Sequence, residues 1–138
     1  MRFLALFLFA LITACTPVTQ AHPVIEAHAQ AFNAGDIDAM SSYQHPDIEW
    51  FNVSEATLFI EVKGRDALTD MMREYIASSP GTVGSLRDWS INGDFVAVTE
   101  TAHWTDSEGN AKDQSALTVY QLEDDLIRRV WYYPAKRD

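Results

Sequence analysis

The sequence predicts an α+β fold in which helices come first and a run of long strands follows. Three segments before residue 79 carry apolar residues at helical spacing. After Pro80-Gly81 the chain changes to strand-like segments separated by turn signals. Because helices and strands are segregated along the chain, the α+β class is favoured over an alternating one.

The helices are predicted from their apolar stripes and end signals. From Val24 to Asn33, Ile25, His28, Ala29 and Phe32 share one helix face. Gly35 then ends the helix, and Asp36 can cap a short second one. A third helix is predicted over Arg65–Ser78. Its predicted buried stripe consists of Leu68, Met71, Met72, Tyr75 and Ile76.

The strands form an early pair and a later antiparallel meander. The pair is predicted at Asp47–Asn52 and Thr57–Val62. Asn92-Gly93 predicts a type I′ hairpin turn, since both central residues of that turn need positive φ. The remaining predicted turns are Gly109-Asn110 and Asp124-Asp125. The four later strands are predicted at Thr82–Ile91, Phe95–Thr105, Gln114–Leu122 and Leu126–Tyr133.

The N-terminus has the pattern of a targeting sequence. Arg2 precedes an apolar run, Phe3–Ala14, that is shorter than the about 20 residues a membrane-spanning helix needs. Such a run is typical of a secretory signal peptide. Its end, Leu11-Ile12-Thr13-Ala14-Cys15, resembles a bacterial lipoprotein signal, in which the cysteine becomes the lipidated N-terminus. The alternative is an ordinary signal peptide cut after Ala21.

We therefore expect three parts: a signal peptide at 1–14, a lipidated Cys15 with its tether at 15–21, and one domain at 22–138. Cys15 is the only cysteine in the chain, so an internal disulfide is impossible. Thr16 follows it, which by resemblance to Gram-negative sorting signals favours an outer-membrane lipoprotein held through its lipid alone. A soluble periplasmic or secreted protein is the alternative.

Composition limits the other partners. The chain has 10 basic and 20 acidic residues, and a net charge of −10 argues against binding nucleic acid. The four histidines lack metal-ligand spacing, and no glycine-rich phosphate loop occurs. We expect neither a metal nor a cofactor.

Several short motifs resemble the nuclear transport factor 2-like superfamily, which includes SnoaL-like polyketide cyclases and ketosteroid isomerase. The resemblance covers roughly Pro23–Pro134. Its segments are Ala31-Phe32-Asn33-Ala34-Gly35-Asp36-Ile37-Asp38-Ala39-Met40, Tyr43, Asp47-Ile48-Glu49-Trp50, Lys63-Gly64-Arg65-Asp66-Ala67-Leu68 and the closing strand Leu126–Pro134.

The resemblance implies a curved antiparallel sheet wrapped around three helices on the N-terminal side, forming a cone with an apolar pocket. It also implies a homodimer through the convex sheet face. Such a pocket suits a small apolar molecule held by a few polar groups. Relatives of this fold include enzymes, binding modules and assembly domains, so the resemblance does not decide the function.

Alignment with ketosteroid isomerase places His28 at that enzyme's helix tyrosine, Asn52 at or near its base and Thr118 near its oxyanion acid. An amide cannot serve as a general base, and a threonine donates a proton less readily than a carboxylic acid. The resemblance therefore argues against steroid-type isomerisation. Asn52 and Thr118 remain candidates for orienting a polar group of a ligand.

Two ionisable residues are candidate proton-transfer groups. His28 lies on the apolar face of its helix; it is either a catalytic group or a hydrogen-bonded core histidine. Glu100 interrupts the alternation of Val96, Val98, Ala102 and Trp104. If that face points inward, Glu100 is a carboxylate in an apolar cavity, with a raised pKa and a possible acid–base role. If the other face points inward, it is a solvated or interface charge.

Trp50, Trp104, Tyr120 and Trp131 are candidate walls of the pocket, although aromatic residues of a small sheet also serve as core. Three hypotheses follow. The domain binds a small apolar or amphipathic molecule; or it is an isomerase, cyclase or dehydratase that uses His28 and Glu100; or it is a dimerisation or assembly module.

Overall fold

The computed structural model describes residues 20–137, and they form the predicted α+β fold with three helices and a curved sheet. The predicted signal peptide, Cys15 and most of the tether lie outside the described residues. Within residues 20–137, no helix is long and apolar enough to span a membrane.

The elements follow the predicted order. The helices are α1 (Pro23–Asn33), α2 (Ile37–Ser42) and α3 (Arg65–Ser78). The strands are β1 (Gln44–Ser54), β2 (Thr57–Lys63), β3 (Val83–Asn92), β4 (Phe95–Thr105), β5 (Ala111–Glu123), β6 (Leu126–Tyr132) and β7 (Lys136–Arg137).

The junction between α1 and α2 forms as its sequence predicts. Gly35 has φ of 69°, in the left-handed region that glycine tolerates best. The Asp36 carboxylate accepts a hydrogen bond from the Ala39 amide at 2.9 Å and so caps α2. The side-chain amide of Asn33 pairs with both backbone groups of Gly84, at 2.8 and 2.7 Å. This pairing ties the end of α1 to β3.

The sheet is mixed rather than wholly antiparallel. Its order is β2-β1-β6-β5-β4-β3, with β7 against β5. β1 and β6 run parallel, while the remaining pairs are antiparallel. The parallel pair arises because α3 separates the early hairpin from the meander, whose last strand returns to lie beside β1.

Register shifts interrupt four of the strand pairings. Glu61 is an extra residue in β2, since Phe51 pairs with Ile60 and Trp50 pairs with Val62. The other shifts lie between Arg87 and Ser90 of β3, in β1 opposite β6, and between Gln121 and Leu122 of β5 opposite β6. Bulges of this kind bend a strand and increase its twist, in agreement with the curvature of the sheet.

The first meander turn differs from its prediction by one residue. Asn92 pairs with Phe95, so the central residues of the hairpin are Gly93 and Asp94. Of these two only Gly93 has positive φ, which is the requirement of a type II′ rather than a type I′ turn. The Asp124-Asp125 turn has positive φ at both positions, 52° and 60°.

The core lies between the concave sheet face and the helices. Its fully buried members include Ile25, Ile48, Leu68, Val96 and Val98. The predicted stripe of α3 is only partly core: Leu68 is buried, but Met71 and Met72 are half-buried and Tyr75 is exposed. These three side chains border a cavity instead.

Candidate functional site

A cavity of about 490 Å³ opens between the concave sheet face and the helices, and its surface is mostly apolar. Its principal apolar lining residues are Phe32, Met40, Trp50, Met71, Met72 and Leu86. Its principal polar lining residues are His28, Asn52, Glu61, Glu100, Tyr120 and Tyr132. A cavity of this size with a few convergent polar groups is typical of a small-molecule site.

The structure decides which face of β4 points inward. Val96 and Val98 are fully buried in the core, and Glu100 and Ala102 continue the same face into the cavity lining. Glu100 is therefore a cavity residue and not a charge on the outer face of the sheet.

Glu100 and Tyr120 form the central polar contact of the cavity. The Tyr120 hydroxyl donates a hydrogen bond to the Glu100 carboxylate from the neighbouring strand. Burial raises the pKa of Glu100, and the bond from Tyr120 partly opposes that rise. Burial and the nearby Glu100 charge together raise the pKa of Tyr120. Glu100 is thus a carboxylate whose ionised form is poorly solvated.

Trp50 and Tyr132 form an aromatic wall beside this pair. Their ring centroids are 6.1 Å apart with an interplanar angle of 30°. Burial and then the charge of Glu100 raise the pKa of Tyr132 to about 12, so the phenol keeps its proton near neutral pH. On the helix side, Phe32 and Tyr75 lie 6.2 Å apart.

His28 is buried and contacts Gln44, with 3.1 Å between the two Nε2 atoms. The amide nitrogen of Gln44 is the donor, so Nε2 of the ring is the acceptor and carries no proton. Burial lowers the pKa of His28 from 6.5 to about 4. His28 combines features of both readings of the sequence: it is a hydrogen-bonded core residue that also lines the cavity.

Asn52 lines the cavity and donates a hydrogen bond to Glu61. Glu61 is the bulged residue of β2, and the bulge allows its side chain to reach Asn52. The cavity therefore contains a second carboxylate, that of Glu61, which is more exposed than Glu100 and lies next to the amide of Asn52.

Three predicted site residues do not line the cavity. Thr118 is fully buried beneath the lining, where its hydroxyl faces Glu100 and helps to lower the pKa of that carboxyl. Trp104 borders an adjacent depression that shares Tyr75 and three other residues with the cavity. Trp131 lies on the opposite sheet face and stacks on Phe51, with ring centroids 5.6 Å apart.

The site is also lined by Glu61, Leu86 and Tyr132, which no pattern in the sequence indicates. Tyr132 lies on the same strand face as Val130 and pairs with Asn52. Its place in the site follows only once β1 is known to pair with β6. Glu61 could not be found by strand alternation because the bulge changes the register. The helical stripe of α3 predicts that Met71, Met72 and Tyr75 face inward as core residues. In the structure they line the cavity instead.

The arrangement offers acid–base and hydrogen-bonding groups within an apolar shell. Within residues 20–137, no cluster of His, Cys, Asp and Glu could hold a metal ion. Glu100 and Tyr120 can bind a polar group of a ligand, and the aromatic and methionine side chains can enclose its apolar part.

Comparison with known proteins now assigns the family. Residues 25–130 match the SnoaL-like domain. The chain belongs to that family. No curated protein matches it at a significant level.

Solved structures share the fold of this SnoaL-like domain. An NTF2-like protein of unknown function from Cytophaga hutchinsonii is 23% identical with a TM-score of 0.62, over 82% of this chain and 96% of that one. IdmH from Streptomyces antibioticus, a proposed polyketide cyclase, is 20% identical with a TM-score of 0.68, over 83% and 89%. An LEH-like epoxide hydrolase from M. tuberculosis is 16% identical with a TM-score of 0.66, over 83% and 80%.

The burial of neutral His28 predicts a loss of stability in acid. The folded pKa of about 4 lies below the ordinary 6.5, so the unfolded chain takes up the proton first as pH falls. As the pH falls from 6.5 to about 4, the free energy of unfolding decreases by roughly 3 kcal/mol in total because of this group, at about 1.4 kcal/mol per pH unit. His28→Gln keeps an acceptor for Gln44 but does not titrate. We expect its loss of stability from pH 7 to pH 4 to be smaller than that of the wild type.

Urea unfolding at a series of pH values measures this difference. The ion-paired Glu49 titrates in both proteins, so its contribution cancels in the comparison. Equal acid losses in the wild type and His28→Gln would contradict the assignment.

Proposed function

We propose that this SnoaL-like domain binds a small, mostly apolar molecule in its cavity. The observation that carries the proposal is the combination of an apolar, aromatic-lined space of about 490 Å³ with a polar pair, Glu100 and Tyr120, at its wall. The hydrophobic core is separate from the cavity: Ile25, Leu68 and Val98 are fully buried, and none of them lines it. An assembly module would not need such a space.

Filling the cavity should weaken binding without unfolding the domain. Leu86 lines the cavity from β3, whereas Ile91 lies exposed on the same strand. Leu86→Trp places a large ring in the space, and we expect the affinity for the neutral fluorophore N-phenyl-1-naphthylamine to fall by about tenfold or more. Fluorescence titration measures the affinity, and circular dichroism checks the fold.

Ile91→Trp is the matched control, because it adds nearly the same volume outside the cavity. Equal affinities in Leu86→Trp, Ile91→Trp and the wild type would place any binding elsewhere. No binding of the fluorophore to the wild type would count against the proposed function itself.

A second candidate function is acid–base catalysis of an isomerase, cyclase or related type. The observation in its favour is the raised pKa of Glu100 in an apolar cavity, a property of catalytic carboxylates. The likeness to a proposed polyketide cyclase and to an epoxide hydrolase supports the same class. In this hypothesis Glu100 moves the proton, neutral His28 donates a hydrogen bond from its other ring nitrogen, and Tyr120 orients the carboxylate.

This candidate predicts a specific effect of Glu100→Gln. For any carbonyl or epoxide substrate that is turned over, we expect kcat to fall by about 100-fold or more, because the amide cannot transfer the proton. Binding of the neutral fluorophore should survive. Glu26→Gln, which removes an exposed charge from α1, is the control. Unchanged turnover in a His28→Gln/Glu100→Gln double variant would eliminate the acid–base hypothesis.

We also propose a homodimer formed through the sheet face opposite the cavity. Phe51, Trp131 and Phe95 form an aromatic cluster on this face: the ring of Trp131 stacks on Phe51 at 5.6 Å and lies tilted against Phe95 at 6.3 Å. Ile60 and Leu117 on the same face are exposed. Apolar patches of this kind mark interaction surfaces, and a two-fold axis would bury the patch against itself.

The proposed location is the outer membrane, through a lipidated Cys15. Its support is the sequence: the apolar run ends in Leu11-Ile12-Thr13-Ala14-Cys15, followed by Thr16. With several acyl chains such an anchor holds stably, whereas one chain alone would not. The domain would then extend from the membrane on a tether ending near Ala21.

Mass spectrometry of the membrane fraction tests both the lipid anchor and the homodimer. We expect an intact chain that begins at a lipidated Cys15, and a native mass of two chains after release in detergent. Cys15→Ser should remove the lipid and leave the dimer. An unlipidated product beginning at His22 would contradict the anchor, and a single-chain native mass would contradict the dimer.

A further inference from the structure

The charges that line the cavity are all of one sign. Glu100 on β4 and Glu61 on β2 both border it, and within residues 20–137 no Lys or Arg does. His28 also lines the cavity, but it is neutral near pH 7 because burial lowers its pKa to about 4. A ligand therefore meets two carboxylates without an opposing protein charge.

The neighbouring basic residues are paired with other carboxylates. Arg73 binds Asp38 and Asp70 at 2.7 and 3.2 Å. Lys63 and Arg129 bind Glu49 at 3.1 and 2.9 Å, on the face of β1 opposite the cavity. In the part of the chain that the structure describes, no ion pair involves Glu61 or Glu100.

Aromatic rings line the same cavity as these carboxylates. Trp50 stacks against Tyr132, and Phe32 lies beside Tyr75. Ring faces carry negative electrostatic potential, and they attract cations most strongly when the cation has been removed from water. Rings and carboxylates together are the surroundings that proteins use to hold an organic ammonium group.

We propose that the cavity selects an apolar ammonium: a small organic cation whose charged nitrogen lies against Glu100, Glu61 and the ring faces. The inference rests on the proposed binding function and narrows its ligand class. An anion would face two uncompensated carboxylates. A neutral molecule would leave Glu100 in an apolar space without a counter-charge, so that its ionised form stays disfavoured. A cation supplies that counter-charge while its hydrocarbon part fills the methionine-lined space.

Two isosteric probes test the charge alone. Benzyltrimethylammonium and neopentylbenzene have the same shape and differ by a charged nitrogen in place of a quaternary carbon. Each is titrated against the full-length protein loaded with N-phenyl-1-naphthylamine, and displacement is followed by fluorescence at pH 7.5. We expect the cation to displace the fluorophore at a concentration about tenfold lower than the hydrocarbon does. The anion 3-phenylpropanoate should displace it least.

Variants assign the preference to the cavity. Glu61→Gln and Glu100→Gln should each reduce the ratio of cation to hydrocarbon affinity, whereas Glu26→Gln, an exposed charge removed from α1, should not. Because Glu61 is exposed, its variant keeps the test valid even if Glu100→Gln fails to fold.

The outcomes separate this inference from the function on which it rests. Equal or tighter binding of neopentylbenzene overturns the ammonium proposal and leaves small-molecule binding standing. A cation preference that persists in both cavity variants, or that falls equally in Glu26→Gln, also overturns it, because the general negative field would then be the cause. If the fluorophore and both isosteres fail to bind, the proposed function fails as well.

Discussion

The curvature of the sheet is the constraint on which the other features depend. Register shifts in β1, β2 and β3 bend the strands, so the concave face cannot lie flat against α1 and α3. Near Ile25, Ile48 and Leu68 the sheet and helices meet in a closed core. Farther along, the same elements diverge and leave the cavity. On the β3 side, the Asn33 amide holds the end of α1 against the sheet, since it is hydrogen-bonded to the backbone of Gly84.

Alternation along single strands then gives the two sheet faces different surroundings. On β1, Trp50 and Asn52 border the cavity, while Glu49 and Phe51 point to the other face. Glu49 is held there by Lys63, Arg128 and Arg129, and these hydrogen bonds and charges lower its pKa. The acidic chain thus places its main basic cluster on the outer face. The carboxylates of the inner face remain without basic partners.

The sequence predicts the fold class and the order of its elements, but only part of the strand pairing and of the site. Helical stripes, the Asp36 cap and the strand alternation are local signals, and they produced the correct elements in the correct order. The parallel pairing of β1 with β6 is a long-range contact, which no local pattern encodes. Local patterns do not reveal bulges either. Strand alternation therefore does not indicate that Glu61 faces the cavity, whereas it does raise that possibility for Glu100, which lies on a regular strand. The α3 methionines show a different limit: a periodic apolar stripe indicates an inward face, but not whether that face meets core or empty space.

Glu100 connects the curvature to the chemistry. A flat sheet would bury this position against a helix, where an ionised carboxylate would be too costly and an apolar residue would fit better. In the curved sheet the same strand position opens on a cavity, where the hydroxyls of Tyr120 and Thr118 only partly offset the cost of burying the charge. The interruption of an apolar strand by one glutamate is therefore tolerated only because the fold leaves space above it. The charge itself then determines which molecules can enter that space at low cost.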